Sequence, residues 1–337
     1  MESKKITKMI ITKTPYRISF FGGGSDYPQW YLKNGGEVIS TTIDKYIYLS
    51  CRNLPPFFNH KHRIVWSKVE LVKNIKEIQH RAVRNMLNHF KIKNGLEIHY
   101  DGDLPARSGM GSSSCFVVGL INTICTLKKI KLSKENLAKK SIYFEQKILK
   151  ETVGSQDQIA AAYGGFNKIK FFPGGNFRVS PINLNQRNIR KLNQNLVLLY
   201  TGVKRTAHHI ANSYVKKLHK EKKNEIYQIL DFVREGVNIL KSNDYDNFGK
   251  LLHESWLTKR NLSKKMSSTS IDDIYNFALK KGALGGKLLG AVGGGFFLLY
   301  VPYERQKKFM NYFKKFIRIP FNFNNLGSTV IFNQANK

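Results

Sequence analysis

The chain has 337 residues, of which 56 are Lys or Arg and 23 are Asp or Glu, giving a formal charge of +33. With 42% hydrophobic residues it is too apolar for a disordered polycation, and its length suffices for two cores, so two globular domains are expected. The basic residues are scattered in small groups, such as Lys216 to Lys223 and Arg305 to Lys315, which points to a solvated Lys-rich surface rather than a nucleic-acid patch.

The first third reads as strands. Met9 to Thr14 and Tyr16 to Phe21 are β-rich runs split by Pro15, and Glu37 to Leu49 is rich in β-branched and aromatic residues. Apolar spacing predicts a helix over Asn74 to Lys91, a strand at Leu96 to Tyr100 and a serine-opened helix over Ser112 to Lys128. Further helices are expected at Lys134 to Lys150 and Ser155 to Tyr163, then a strand at Phe166 to Phe172. The Asn-, Gly- and Pro-rich stretch Pro173 to Asn195 suggests a boundary dividing the chain into residues 1–190 and 191–337. Beyond it come a strand at Leu196 to Tyr200, a largely helical region from Thr206 to Leu262, another helix, a glycine-rich hairpin, a final helix and a strand at Ser328 to Phe332. The irregular alternation indicates an α+β protein. Cys51, Cys115 and Cys125 form no C-x-x-C pair, so free thiols in a reducing cytoplasm are expected. The N-terminal apolar run is broken by Lys13 before a signal sequence forms, and no apolar stretch reaches the roughly 20 residues that cross a bilayer.

Three glycine-rich segments stand out: PYRISFFGGGSDYP (Pro15 to Pro28), LPARSGMGSSS (Leu104 to Ser114) and KLLGAVGGGFFLL (Lys287 to Leu299). The middle one has the makings of an anion site. A strand leads into Gly109-Met110-Gly111 and then Ser112, Ser113 and Ser114 open a helix, whose free N–H groups and positive dipole end attract phosphate. It is not a Walker A loop, since no Gly-Lys-Ser/Thr follows. Helix capping explains one serine but not three. Two carboxylates, Glu145 and Asp157, bracket the turn at Gly154. A phosphotransferase needs one carboxylate to hold Mg²⁺ and another to take a proton, yet a solvated helix Glu and a capping Asp fit the same spacing.

In this order and with these gaps the three segments resemble the motifs of the GHMP kinases, the superfamily of galactokinase, homoserine, mevalonate and phosphomevalonate kinases. The resemblance runs from Pro15 to Val301. It implies an N-terminal domain like domain 2 of ribosomal protein S5, a ferredoxin-like C-terminal domain, an active site between them, and ATP with Mg²⁺. On that pattern Gly109, Met110, Gly111, Ser112, Ser113 and Ser114 cradle the ATP phosphates, and Ser113 and Glu145 hold Mg²⁺. Asp157 is the catalytic base, and Arg17 orients it and steadies developing negative charge. Gly293 and Gly294, in the third motif, close over the phosphates.

Within the superfamily the segments, with GSQDQ and TGVKRTA, are most similar to kinases of D-glycero-D-manno-heptose 7-phosphate, with L-fucokinase-like sugar kinases close behind. The implied reaction carries the γ-phosphoryl group to the anomeric C1 hydroxyl. Gly23, Gly24, Ser25 and Asp26 are then expected at the sugar, Asp26 accepting its hydroxyls, while Arg107, Lys204 and Arg205 are the candidate cations for the sugar's own phosphate. The expected partners are small molecules, with neither nucleic acid nor membrane, in a monomer or homodimer.

Overall fold

The computed structural model describes residues 8–106, 108–202, 211, 213–290 and 295–334. In chain order the strands and helices of the first half are β1 (Met9–Phe21), α1 (Pro28–Asn34), β2 (Gly36–Asn53), β3 (His62–Val65), β4 (Val69–Val72), α2 (Arg81–His89), β5 (Leu96–Gly102), α3 (Ser112–Leu127), α4 (Lys134–Tyr143), α5 (Gln156–Tyr163), β6 (Phe166–Phe171), β7 (Phe177–Pro181) and α6 (Gln186–Gln194). Then follow β8 (Leu196–Tyr200), α7 (Lys223–Ser242), α8 (Tyr245–Arg260), α9 (Thr269–Lys280), β9 (Gly285–Leu288), β10 (Phe296–Tyr300), α10 (Tyr303–Tyr312), β11 (Ile317–Ile319), β12 (Phe323–Asn324) and β13 (Thr329–Asn333).

Two sheets organise these elements into an α+β architecture. The larger runs β13-β1-β2-β5-β3-β4, with β6 and β12 also paired to the long β2 and β7 paired to β6; only β3 with β5 is parallel. The smaller runs β11-β8-β10-β9, antiparallel throughout, the strand order of a ferredoxin-like β-α-β-β-α-β unit. The last two strands return to the first sheet: β13 pairs with β1 and β12 with β2.

Several elements differ from the sequence reading for local reasons. Pro15 does not split β1; it lies beside a register shift in the pairing with β2, where a residue without an N–H can be carried. The stripe from Asn74 to Lys91 is not one helix, because Asn74 and Glu77 close a capping box around a single turn and His80 caps α2 afresh. The region 173–195 holds β7 and α6, and the unforeseen β3 and β4 form a hairpin. Finally, α4 loosens into a π-helical turn over Phe144–Ile148, a type of bulge often found at functional sites.

The sheets and helices bury one continuous core. At the junction of the two sheets, Phe20 and Phe21 at the end of β1 meet Phe248 of α8 with ring centroids 5.3 and 5.2 Å apart. These edge-on contacts fix the end of β1, and with it the first glycine segment, against the second-domain helices. Among the described residues no helix is long and apolar enough to cross a membrane.

Candidate active site

The loop between β5 and α3 carries the middle glycine segment to a helix N-terminus. Gly111 caps α3 with φ +77°, a left-handed conformation that glycine adopts without strain. Gly109 needs its missing side chain for a different reason: a Cβ there would lie 2.2 Å from the Leu289 carbonyl oxygen. The reciprocal holds at Gly290, whose Cβ would meet Gly109 Cα at 2.4 Å. The third glycine segment is therefore pressed onto the middle one, backbone against backbone.

Arg17 of β1 and Asp157 of α5 form a forked ion pair beside this loop. Nε donates to Oδ1 at 2.6 Å and Nη2 to Oδ2 at 2.8 Å, the bidentate geometry that fixes both planes. The same guanidinium donates through Nη1 to the Gly109 carbonyl at 2.8 Å, and the Arg17 backbone N–H reaches the Met110 carbonyl. Arg17 is buried while the Asp157 side chain keeps 23% of its exposure, so the carboxylate is reachable and the guanidinium that aims it is not.

Glu145 sits on the π-helical turn with no exposed surface. It accepts from Ser114 Oγ at 2.7 Å, from Ser113 Oγ at 3.3 Å and from the Gln158 amide. Burial pushes its carboxyl up to about 8, against the pull of the Ser114 and Gln158 hydrogen bonds. A buried carboxylate beside serine hydroxyls at a helix N-terminus is a hard-oxygen set that suits Mg²⁺, and a cation there would favour the ionised form.

Asp26 is buried at the end of the first glycine segment. Its oxygens accept backbone N–H groups from Gly24 at 2.9 Å and Gln156 at 3.4 Å, and burial raises its pKa. The Ser25 hydroxyl is engaged inside the turn, 2.8 Å from the Gly22 carbonyl and 3.0 Å from that of Glu37. Gly23 and Gly24 are buried in the same turn. Arg107, Lys204, Arg205, Gly293 and Gly294 lie outside the described residues.

Two lysines absent from the sequence-based candidates also enter this region. Lys259 of α8 donates to the Gly290 carbonyl at 2.8 Å, and Lys287 of β9 donates to the Phe20 carbonyl at 2.6 Å; both are buried. A signal existed for Lys259, which continues the buried stripe Phe248, Leu252 and Trp256 at helical spacing where a solvated lysine does not belong.

A glycine- and serine-opened helix end, a forked Arg–Asp pair and an acidic hard-oxygen pocket, at the junction of a nine-stranded sheet and a ferredoxin-like sheet, are the parts a phosphotransferase needs. The chain belongs to the GHMP kinases: the model of the GHMP kinases N terminal domain matches residues 71–165 and that of the C-terminal domain residues 237–318. It is thus a two-domain kinase with an alcohol group as acceptor, of a family that uses ATP as phosphoryl donor.

Among curated relatives, the D-glycero-alpha-D-manno-heptose 7-phosphate kinase of Campylobacter jejuni is 28% identical over 308 residues, covering 87% of this chain and 90% of the relative. The bifunctional fucokinase/GDP-fucose pyrophosphorylase of Arabidopsis thaliana is 27% identical over 85% of this chain, which spans 29% of that longer protein. Among solved structures, a D-glycero-D-manno-heptose 1-phosphate kinase from Bacteriodes thetaiotaomicron has the same fold, with a TM-score of 0.78 at 21% identity over 95% of this chain and 98% of that one.

Proposed function

We propose that this kinase transfers the γ-phosphoryl group of ATP to the anomeric C1 hydroxyl of D-glycero-D-manno-heptose 7-phosphate. The product, the 1,7-bisphosphate, would feed a nucleotide-activated heptose for surface polysaccharide. The observation that carries the chemistry is the Arg17–Asp157 fork, a reachable carboxylate aimed by a buried guanidinium at the edge of the glycine loop. The similarity to the Campylobacter jejuni heptose kinase supports the substrate.

In this reading Asp157 accepts the proton of the attacking hydroxyl, and Arg17 keeps the carboxylate oriented and offsets negative charge as it develops. Gly109, Met110, Gly111 and the α3 N-terminus with Ser112, Ser113 and Ser114 receive the ATP phosphates. Glu145 and Ser113 would hold Mg²⁺, which when bound neutralises phosphate charge. Asp26, beside Gly23, Gly24 and Ser25, takes sugar hydroxyls. Arg107, Lys204 and Arg205 are proposed for the 7-phosphate, and Gly293 and Gly294 for closing the third segment over the site. We assign residues 1–190 and 191–337 to the two domains, with β12 and β13 reaching back into the first sheet. Three buried free cysteines suit a reducing cytoplasm, and the functional unit is a monomer or homodimer.

The likeness to the Arabidopsis thaliana protein favours a second reading, an L-fucose 1-kinase. Incubation with ATP, Mg²⁺ and a panel of heptose 7-phosphate, hexose phosphates, L-fucose and galactose separates them. ADP release is expected with heptose 7-phosphate; release with L-fucose alone favours the second reading, and none with any sugar or sugar phosphate removes both.

A further inference from the structure

Lys259 is the buried cation that the Arg17–Asp157 chemistry leaves without a task. α8 carries it from the second domain to the junction of the two sheets, where its described hydrogen bond goes to the Gly290 carbonyl in the third glycine segment. An ammonium has three N–H donors, so this contact accounts for one. Among the described residues no carboxylate lies within ion-pair distance of Lys259, an unusual state for a side chain left with 8% of its surface.

The surroundings indicate a polar ligand. Around the point that a Cβ on Gly23 would occupy lie Gln156 Nε2 at 3.5 Å, Ser19 Oγ at 3.6 Å and Lys259 Nζ at 3.8 Å. Ser19 Oγ and Gln156 Oε1 are buried and have no hydrogen-bond partner among the described residues. Orphaned buried polar atoms are costly, and three side chains from β1, α5 and α8 converge here next to the Arg17–Asp157 pair.

We propose that Lys259 is a catalytic residue of this kinase, its ammonium donating to the phosphoryl group as that group passes from ATP to the acceptor hydroxyl. The inference rests on the phosphoryl-transfer reading above but not on which sugar is the acceptor. In the step, the acceptor oxygen forms a bond to the γ-phosphorus and its proton goes to Asp157. The bond from phosphorus to the β,γ-bridging oxygen breaks, and its electron pair leaves on ADP. Charge spread over the three equatorial oxygens of the moving group is what a fixed cation from the opposite domain stabilises. Because Lys259 is also tied to Gly290, and Gly290 is pressed on Gly109, the donor is in register with the phosphate loop only when both glycine segments are docked.

Burial lowers the Lys259 pKa to about 8, helped by Arg17 of β1; Asp26, and Asp157 of α5, oppose this, and the other basic group facing it is Lys287 of β9, whose own pKa burial pushes well down. It is charged at neutral pH and loses its proton as the pH rises through about 8. The kcat/KM of the wild type, which reports the free enzyme, is expected to fall above that pH.

The test compares K259M and K259R with wild type. Loss of one transition-state donor predicts a kcat for K259M lower by roughly 10²- to 10³-fold with little change in the KM for ATP. K259R, which stays charged, should keep part of the rate and flatten the alkaline limb. A sugar-free readout separates this inference from the substrate reading: calorimetric affinity for Mg²⁺-ADP with and without aluminium fluoride, a planar mimic of the phosphoryl group in flight. K259M is expected to lose at least about tenfold of the tightening that aluminium fluoride gives the wild type while binding Mg²⁺-ADP alone equally well. Unchanged tightening in K259M, or a kcat within about threefold of wild type, would overturn the proposal. Absent turnover of heptose 7-phosphate by the wild type, with the aluminium fluoride difference intact, would count against the substrate and not against Lys259.

Discussion

Two groups of acidic and basic side chains in this molecule end differently. In the outer group, Glu97 on β5 of the larger sheet receives Arg52 at 2.6 Å, His99 at 2.7 Å and Arg63 at 3.5 Å, so one carboxylate is surrounded by its partners. Burial works against its charge, but the His99 and Arg52 hydrogen bonds outweigh that and hold its carboxyl below the ordinary range. At the junction of the two sheets, three buried basic side chains, Arg17, Lys259 and Lys287, meet two acidic ones, Asp26 and Asp157; burial lowers the pKa of both lysines and raises that of Asp26, and among the described residues only Arg17 and Asp157 form an ion pair. The outer group is closed on itself and holds strands together. The inner one keeps open donors and titratable groups shifted by burial, the marks of a functional site rather than of a structural tie.

Breaking the inner group should cost activity above all. Asp157→Asn keeps the shape but cannot take a proton, so kcat should fall by roughly 10²- to 10⁴-fold, together with a lower melting temperature, because the buried Arg17 guanidinium loses its charge partner and one arm of the fork. A coupled ADP assay beside calorimetry checks this, and near-normal turnover would remove Asp157 as base.

A smaller effect is expected at the acidic pocket. Glu145→Gln should raise the Mg²⁺ concentration for half-maximal rate by at least about tenfold. Since the Glu145 carboxyl sits up at about 8 without a cation, Mg²⁺ must displace its proton near neutrality. The wild type should therefore bind Mg²⁺ more tightly as the pH rises from 6 to 8.5, measured in the presence of ADP, and the Gln variant should lose most of that dependence.

The outer group should behave in the opposite way. Glu97→Gln is expected to cost about 1 kcal/mol, because Arg52 and Arg63 are partly solvated, and to leave kcat within about twofold. A group with a depressed folded pKa contributes above its unfolded value and loses that contribution as the pH falls through the folded one. The stability gap between wild type and variant should therefore be full at neutral pH and close on acidification, as followed by denaturant unfolding at a series of pH values.

Part of the proposed site was legible in the sequence, because a glycine loop opening a helix leaves local marks. Gly109, Gly111, the three serines and Asp157 announce themselves by glycine spacing, helix opening and acid scarcity, and the structure sets Arg17, Asp157 and the glycine loop in one hydrogen-bonded unit. Glu145 was found in the same way, whereas Arg17 and Asp26 were named only through the resemblance to the GHMP kinases; the π-helical turn that drives Glu145 inward was not foreseen, since one extra residue per turn has no composition signature. Lys259 and Lys287 were not singled out. In a chain with 56 basic residues a lysine carries little information, and its meaning comes from the face of the element on which it falls. Long-range pairing was equally hidden: nothing in Thr329–Asn333 names β1 as its partner.

That return of the chain has a bearing on how the protein is made. β13 lies against β1 across more than three hundred residues, Thr14 and Ser328 share a hydroxyl contact of 2.8 Å, and Asn122 of α3 donates to Ser328 as well. During synthesis β1 emerges first but must wait for its edge partner until the ferredoxin-like unit has been translated, so the second domain can finish folding before the first has closed its sheet. The half that holds the phosphate loop is thus the last to be completed, and a chain cut short during translation would carry an unprotected β1 edge rather than a partly working kinase.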